Sequence, residues 1–310
     1  MNEEQAERYF LDSEYEQTEQ ASARFHIIPV PLEHTVSYKG GTARGPEAII
    51  SASAQLEKLT HRHIEPGLLG MCTHPAVDCT YRTSPEEIFT RTADLMHTVY
   101  KNQGIPILLG GEHSVTNGAI RFIGQIQEQV GILQFDAHMD LRDAYEGNKW
   151  SHASVMRRAV DQNIPLYQVG IRNYSEEELI ARNSYRVRYT DAQELMHMRS
   201  RKEGFEAVKL PNDFPSMLYI TFDVDAFDAS LMPATGTPDP GGLFWWDALE
   251  LVERLSEGRT IIGFDVVELA PNSLVHHCEY TAAKLTYALM GLTAQRNRFL
   301  RDRTSSSPVQ

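Results

Sequence analysis

The chain of 310 residues, 42% hydrophobic and 23% charged, can bury a large core, and one domain accommodates it. A net charge of −13 argues against nucleic acid, whose phosphates require a basic surface, and favours cations as partners. Cys72, Cys79 and Cys278 form no C-x-x-C pair, the opening residues are acidic without a cleavable apolar segment, and no apolar run approaches membrane-spanning length. These features argue against a disulfide framework, a zinc knuckle and a membrane span, and fit a soluble cytoplasmic protein.

In chain order, residues 1–22 read as a polar arm or an unstructured segment, followed by a strand over residues 25–30. The glycine-rich segment 40–46 leads into a helix running towards residue 59, with Pro46 in its first turn. It lacks the G-x-x-x-x-G-K-[ST] order of a phosphate loop. A strand is expected over 67–71, and a helix over 84–102 with Ser84 as cap and an acidic first turn. A buried strand over 105–109 precedes a helix over 115–129, and the next buried strand starts at Val130. A loop over 141–151, a helix over 153–163 and a strand over 165–170 follow. Ser175 starts another helix, a short strand lies near Arg186, and Asp191 caps the helix after it. The last elements are a strand over 217–222, a Pro- and Gly-rich loop over 232–242, a helix over 245–257, a strand over 260–264 and a helix over 280–296. Residues 23–300 form the single domain of this reading, and 301–310 an unstructured tail. Strand-helix alternation of this kind predicts a parallel sheet with helices on both faces.

Chemistry concentrates where three apolar runs end. Residues 130–133 lead into Gln134-Phe-Asp-Ala-His-Met-Asp140, and continued strand alternation would put Asp136, His138 and Asp140 on one face. Residues 217–222 lead into Asp223-Val-Asp225, and residues 105–109 into Gly110-Gly-Glu-His113. Open parallel sheets place ligand sites at such C-terminal strand ends. Four aspartates and two histidines exceed the needs of one ion. Two divalent cations balance the four carboxylates, and oxygen ligands with some imidazole suit manganese, with nickel, iron or cobalt also open. Glu112 would face away from His113 and reads as structural. Trp245 and Trp246 read as core or subunit contacts, and His276 and His277 as loop residues.

These segments closely resemble the ureohydrolases, the arginase and agmatinase family: GGEHS at 110–114, DAHMD at 136–140, SHAS at 151–154, FDVDAFD at 222–228 and GTPDPGGL from Gly236. The resemblance spans roughly residues 40–292, in the family's order and spacing. It implies a three-layer α/β/α sandwich with a mostly parallel central sheet, and two manganese ions bridged by a hydroxide that attacks a guanidinium carbon and releases urea. The ligands would be His113, Asp136, His138, Asp140, Asp223 and Asp225. By the same resemblance Glu268 would pair with the guanidinium, and His152 would shuttle the proton needed by the leaving amine. Trimers or hexamers are implied as well.

The substrate is read from the stretch 152–159, which is more like agmatinases, with a small residue after the histidine and paired arginines. Agmatine, hydrolysed to putrescine and urea, is therefore expected. Arg142 stands where arginases carry an asparagine and could instead hold the acid of guanidinobutyrate or arginine; Ser151 is a second candidate contact. The D-L-R sequence also resembles formimidoylglutamases, which lack a histidine at the position of His152. A non-catalytic relative would show a substituted ligand set, and none of the six positions is substituted. A one-metal deacetylase of similar fold would lack the Asp140 and His113 partners.

Overall fold

The computed structural model describes residues 8–299. A strand that is apolar at nearly every position must be covered on both faces, and that requirement puts the three runs above in the middle of a sheet. The strands are β1 (Phe25–Val30), β2 (Met71–Thr73), β3 (Ile105–Gly110), β4 (Val130–Phe135), β5 (Leu166–Val169), β6 (Arg188–Thr190), β7 (Met217–Asp223) and β8 (Thr260–Val267). All pair in parallel, in the order β2-β1-β3-β8-β7-β4-β5-β6.

The helices are α1 (Gly45–Ser53), α2 (Pro85–Lys101), α3 (Thr116–Ile123), α4 (Val155–Asp161), α5 (Glu176–Ser184), α6 (Ala192–Ser200), α7 (Trp245–Leu255) and α8 (His277–Arg296). Residues of α1, α6, α7 and α8 share one apolar core with the sheet, and residues of α2 to α5 share the other. The expected three-layer α/β/α sandwich is the observed one, with the sheet parallel throughout. Among the described residues no helix is long and apolar enough to cross a membrane.

Several local expectations need correction. Residues 8–22 are neither loose nor separate from the domain, because Phe10 and Leu11 are buried in the α1/α8 core. Their amides donate to Thr73 Oγ1 and Ser53 Oγ at 3.0 and 2.7 Å. The rest of the arm, residues 1–7, and the tail from residue 300 onward lie outside the described residues. The first helix ends at Ser53, whose hydroxyl bonds back to Ile50 O, rather than at residue 59. At 67–71 the chain first makes a 3-10 turn, Pro66–Leu69, and straightens only after Gly70 at φ +82°. The helix after β3 stops at Ile123, where Gly124 follows. Asp191 sits at the head of α6 without capping it, because its carboxylate is taken by Arg182 at 2.6 and 2.9 Å.

The glycine-rich loop has an internal anion. Glu33 accepts from Gly41 N, Ala43 N and Thr42 Oγ1 at 2.8–3.0 Å, so the amides that a phosphate would need are already engaged.

Candidate active site

The four middle strands, β3, β8, β7 and β4, end side by side, and each releases one cluster of polar residues at that edge. After β3 the chain turns through Gly110 and Gly111 to His113, which opens a 3-10 turn, His113–Val115. A Cβ on Gly111 would lie 2.0 Å from Leu32 O, so only glycine lets the turn pack there. Asp223 closes β7, and its Oδ1 accepts from Asp225 N at 2.8 Å across the turn Val224–Ala226. Glu268 follows β8 at φ +66°, a left-handed backbone held by its N–H donating to Gly111 O at 2.8 Å.

The acidic residues converge, but not by strand alternation. β4 stops at Phe135, and residues 136–140 continue as irregular backbone beside the residues that follow β5, with Asp140 at φ +54°. The carboxylate of Asp136 accepts from His138 N at 2.6 Å and from Gln134 Nε2 at 2.8 Å, which fixes the coil. Arg172 clamps the neighbouring loops, donating to Asp225 O and Asp239 O at 2.7 Å and Phe227 O at 3.2 Å.

Two groups of side chains result. His113 Nδ1 faces Asp140 Oδ2 at 3.0 Å, Asp136 Oδ2 at 3.1 Å and Asp223 Oδ2 at 3.4 Å. His138 Nδ1 lies 3.0 Å from Asp225 Oδ2 and 3.6 Å from Asp136 Oδ1. Asp136 belongs to both ligand groups. His138 is the partly open member, while the four aspartates are at most 5% exposed.

A hydrogen-bond chain sets the imidazole of His113. Tyr219 and Thr116 hydroxyls donate to Asp265 Oδ2 at 2.9 and 3.0 Å, and Thr221 Oγ1 donates to Asp265 Oδ1 at 2.6 Å. With its proton committed, Thr221 Oγ1 accepts from His113 Nε2 at 2.9 Å. In the neutral ring this leaves a lone pair on Nδ1, pointed at three carboxylates. Nδ1 is buried and none of the three oxygens meets it in hydrogen-bonding geometry. A lone pair among anions is repulsive, whereas a cation between them has no directional demand. The donor set therefore fits bound metal.

The charges of the bare protein lead to the same conclusion. Burial pushes Asp140 up to about 7, with the Asp136 charge adding to it. Burial, with Asp225 and Asp136 beside it, raises Asp223 well above the carboxylate range. Burial opposes charge on His113, but Asp136, Asp140 and Asp223 outweigh it and hold the ring well above the histidine range. Like charges this close cannot all ionise unless a counter-charge joins them.

His152 and Glu268 flank these groups. Burial pushes Glu268 up to about 8, although His113 N–H donates to its Oε1 at 2.6 Å. His152 Nδ1 lies 3.2 Å from Thr35 Oγ1, and that hydroxyl also touches Glu112 Oε1 at 2.8 Å. Burial lowers the pKa of His152, with His113 and His138 adding to the effect and Glu112 opposing it. Glu112 is structural as expected of it, and accepts from His34 N, Thr35 N and Ser114 Oγ.

The candidate substrate contacts separate. Arg142 lines the cleft, which has a volume of about 130 Å³, together with Tyr145, Tyr174, Asn173 and Glu178. Its Nε is 3.8 Å from Glu178 Oε2, and its guanidinium lies over the Tyr145 ring. Ser151 is not on the cleft wall. It is buried, and its hydroxyl accepts from Ala153 N at 3.3 Å, capping the turn that presents His152. Trp245 packs on Phe227, while Trp246 is 64% exposed.

Sequence reading missed Thr35, Thr221, Asp265 and Arg172, each of which acts through a residue distant in the chain. The signal for Asp265 was present, since a carboxylate inside an apolar strand needs partners.

Fold and cation-ready cluster together define a metal-dependent hydrolase of the three-layer α/β/α class. Residues 23–291 match the model of the Arginase family, and the chain belongs to that family of ureohydrolases. The N(1)-aminopropylagmatine ureohydrolase of Thermococcus kodakarensis is 34% identical over 295 residues, covering 93% of this chain and 97% of that protein. The agmatinase of Pyrococcus horikoshii is 31% identical over 288 residues, covering 92% and 97%. Among solved structures, the agmatine ureohydrolase of Thermoplasma volcanium superposes with a TM-score of 0.80 at 29% identity, covering 95% of this chain and 97% of that one.

Proposed function

We propose that the chain hydrolyses the guanidinium group of a linear guanidinoalkylamine, agmatine to putrescine and urea, using two manganese ions held by His113, Asp136, His138, Asp140, Asp223 and Asp225. When bound, such ions make hydroxide available at neutral pH, which a poorly electrophilic guanidinium carbon requires. The buried carboxylate of Glu268 pairs with the guanidinium and fixes its plane against the metal ligands. His152, held by Thr35, delivers a proton to the departing amine.

The observation carrying the choice of substrate is the pairing of Arg142. It is the one arginine or lysine on the cleft wall among the described residues, and Glu178 already answers its charge. An acid tail at the mouth would therefore compete with Glu178 for this one guanidinium. Tyr174 provides an aromatic face suited to an ammonium tail, whereas the Tyr145 ring is already covered by Arg142.

A second reading is N(1)-aminopropylagmatine, which carries the same guanidinium on a longer polyamine tail. It is favoured by the names of relatives from Thermococcus kodakarensis, Synechocystis and Thermus thermophilus at 32–34% identity. The test is urea release from manganese-loaded protein given agmatine, N(1)-aminopropylagmatine, arginine and guanidinobutyrate in parallel. The highest kcat/KM belongs to one of the two amines, and their ratio chooses between the readings. A guanidino acid ranking first would overturn both.

A further inference from the structure

His26 near the start of β1, Cys72 in β2 and His74 just after β2 meet at the β1/β2 edge of the sheet, away from the ends of β3, β8, β7 and β4 that form the acidic cleft. His26 and Cys72 lie opposite each other in the parallel pair. His74 N donates to Ile27 O at 2.8 Å, which extends the pairing past β2, and alternation puts residues 72 and 74 on one face. All three side chains are buried, and their donor atoms lie within 4.8 Å of one another.

The orientation of His26 is imposed from behind. Its Nε2 lies 3.2 Å from Ala23 O, and since a carbonyl only accepts, Nε2 carries the proton. Nδ1 is therefore a lone pair, aimed at His74 Nε2 at 2.9 Å. A Cβ on Gly104 would come within 2.8 Å of this ring, so a bare glycine makes room for it. Backbone fixing of one ring nitrogen, with the other turned towards further donors, is how metal-binding histidines are held. Burial keeps His26 below the usual histidine range, and burial with His26 alongside brings His74 down to about 4, so both rings are in the neutral, ligating form.

We propose that His26 Nδ1, His74 Nε2 and Cys72 Sγ form a binding site for one soft cation of the zinc class, separate from the manganese-type pair in the acidic cleft. Sulfur with two imidazole nitrogens selects Zn²⁺ or Cu⁺ over ions that prefer oxygen, and three protein donors leave one position for a solvent ligand. Binding breaks the thiol S–H bond and releases that proton to solvent. The His74 proton on Nε2 exchanges to Nδ1, and no electrons are transferred. The cation would tie the three-residue edge strand β2 to β1. β2 also receives the arm, through Thr18 N donating to Met71 O at 2.8 Å, so the arm would be fixed as well.

Cadmium is the probe, because its thiolate charge-transfer band in the ultraviolet is blind to the oxygen and imidazole ligands of the cleft. Titrated into manganese-loaded protein, it gives a band that saturates at one equivalent, is lost in Cys72→Ser and needs at least tenfold more cadmium in His74→Gln. Circular dichroism establishes that both variants fold. Zinc raises the melting temperature of the wild type and not of Cys72→Ser. Should Cys72→Ser fail to fold, the Cys79→Ser/Cys278→Ser double variant decides, by keeping the band. No band in the wild type, a band surviving in Cys72→Ser, or a band lost in the double variant would each overturn the site.

Discussion

Two places in one sheet bury histidine beside acidic or sulfur groups, and they reach electrical balance in opposite ways. In the cleft, His113 and His138 face four buried aspartates, and burial beside like charge pushes two of them, Asp140 and Asp223, above the carboxylate range in the absence of added positive charge. Beside β1 and β2, His26 and His74 stay neutral and satisfy each other through one shared proton. The first arrangement depends on cations for its charge balance; the second is balanced without one. His26, His74 and His113 are buried and His138 is partly open, so the number of carboxylates around the rings, rather than burial, sets the difference.

The comparison is broken most severely by Asp136→Asn, which removes the carboxylate belonging to both ligand groups. Metal content measured after gel filtration should fall. Urea release should drop by more than the roughly 100- to 10,000-fold that a missing general acid costs. Retained metal and turnover would refute the shared role. His152→Ala comes next, slowing kcat by about 100- to 10,000-fold with metal content unchanged. Loss of metal instead would move His152 into the coordination sphere.

Asp265→Asn tests whether the chain through Thr221 sets the lone pair of His113. Metal affinity, followed by titration of chelator-treated protein, should weaken about 10- to 100-fold. An unchanged affinity would make Asp265 a packing residue only.

The smallest effect sharpens the neutral end. Between the usual histidine value of 6.5 and about 4, the unfolded chain takes up a proton at His74 that the folded chain refuses. Stability from this group is thus complete above about 6.5 and falls as the pH drops towards 4, by on the order of 3 kcal/mol. Denaturant titrations in chelator should show this loss in the wild type and a smaller one in His74→Gln. Identical slopes would mean that His74 is protonated in the fold.

The candidate metal motifs stand out because a polar cluster at the end of a run as apolar as Ile105–Gly110 or Met217–Asp223 has few uses besides holding charge. Their convergence was anticipated for a reason that does not hold at Asp136, His138 and Asp140, which meet through a coil and a left-handed residue. The docking of Phe10 and Leu11 was missed because the mostly polar residues on either side mask this apolar pair. Ser151 was misplaced because a hydroxyl next to a catalytic-type histidine reads equally well as a substrate contact or a cap, and only its burial decides.

What the amino-acid sequence alone determined was local: strand cores from continuous apolar runs, helix starts such as Ser84 and Ser175, and the kinds of ligand at each strand end. The tertiary structure decided the pairings. Thr35 reaches His152 across 117 positions, Thr221 reaches Asp265 across 44, and His26 reaches His74 across 48. Periodicity reports which face a residue occupies within its own element. Proton direction and charge balance depend on which elements are neighbours, and strand order in a parallel sheet is set by how whole helices pack across it.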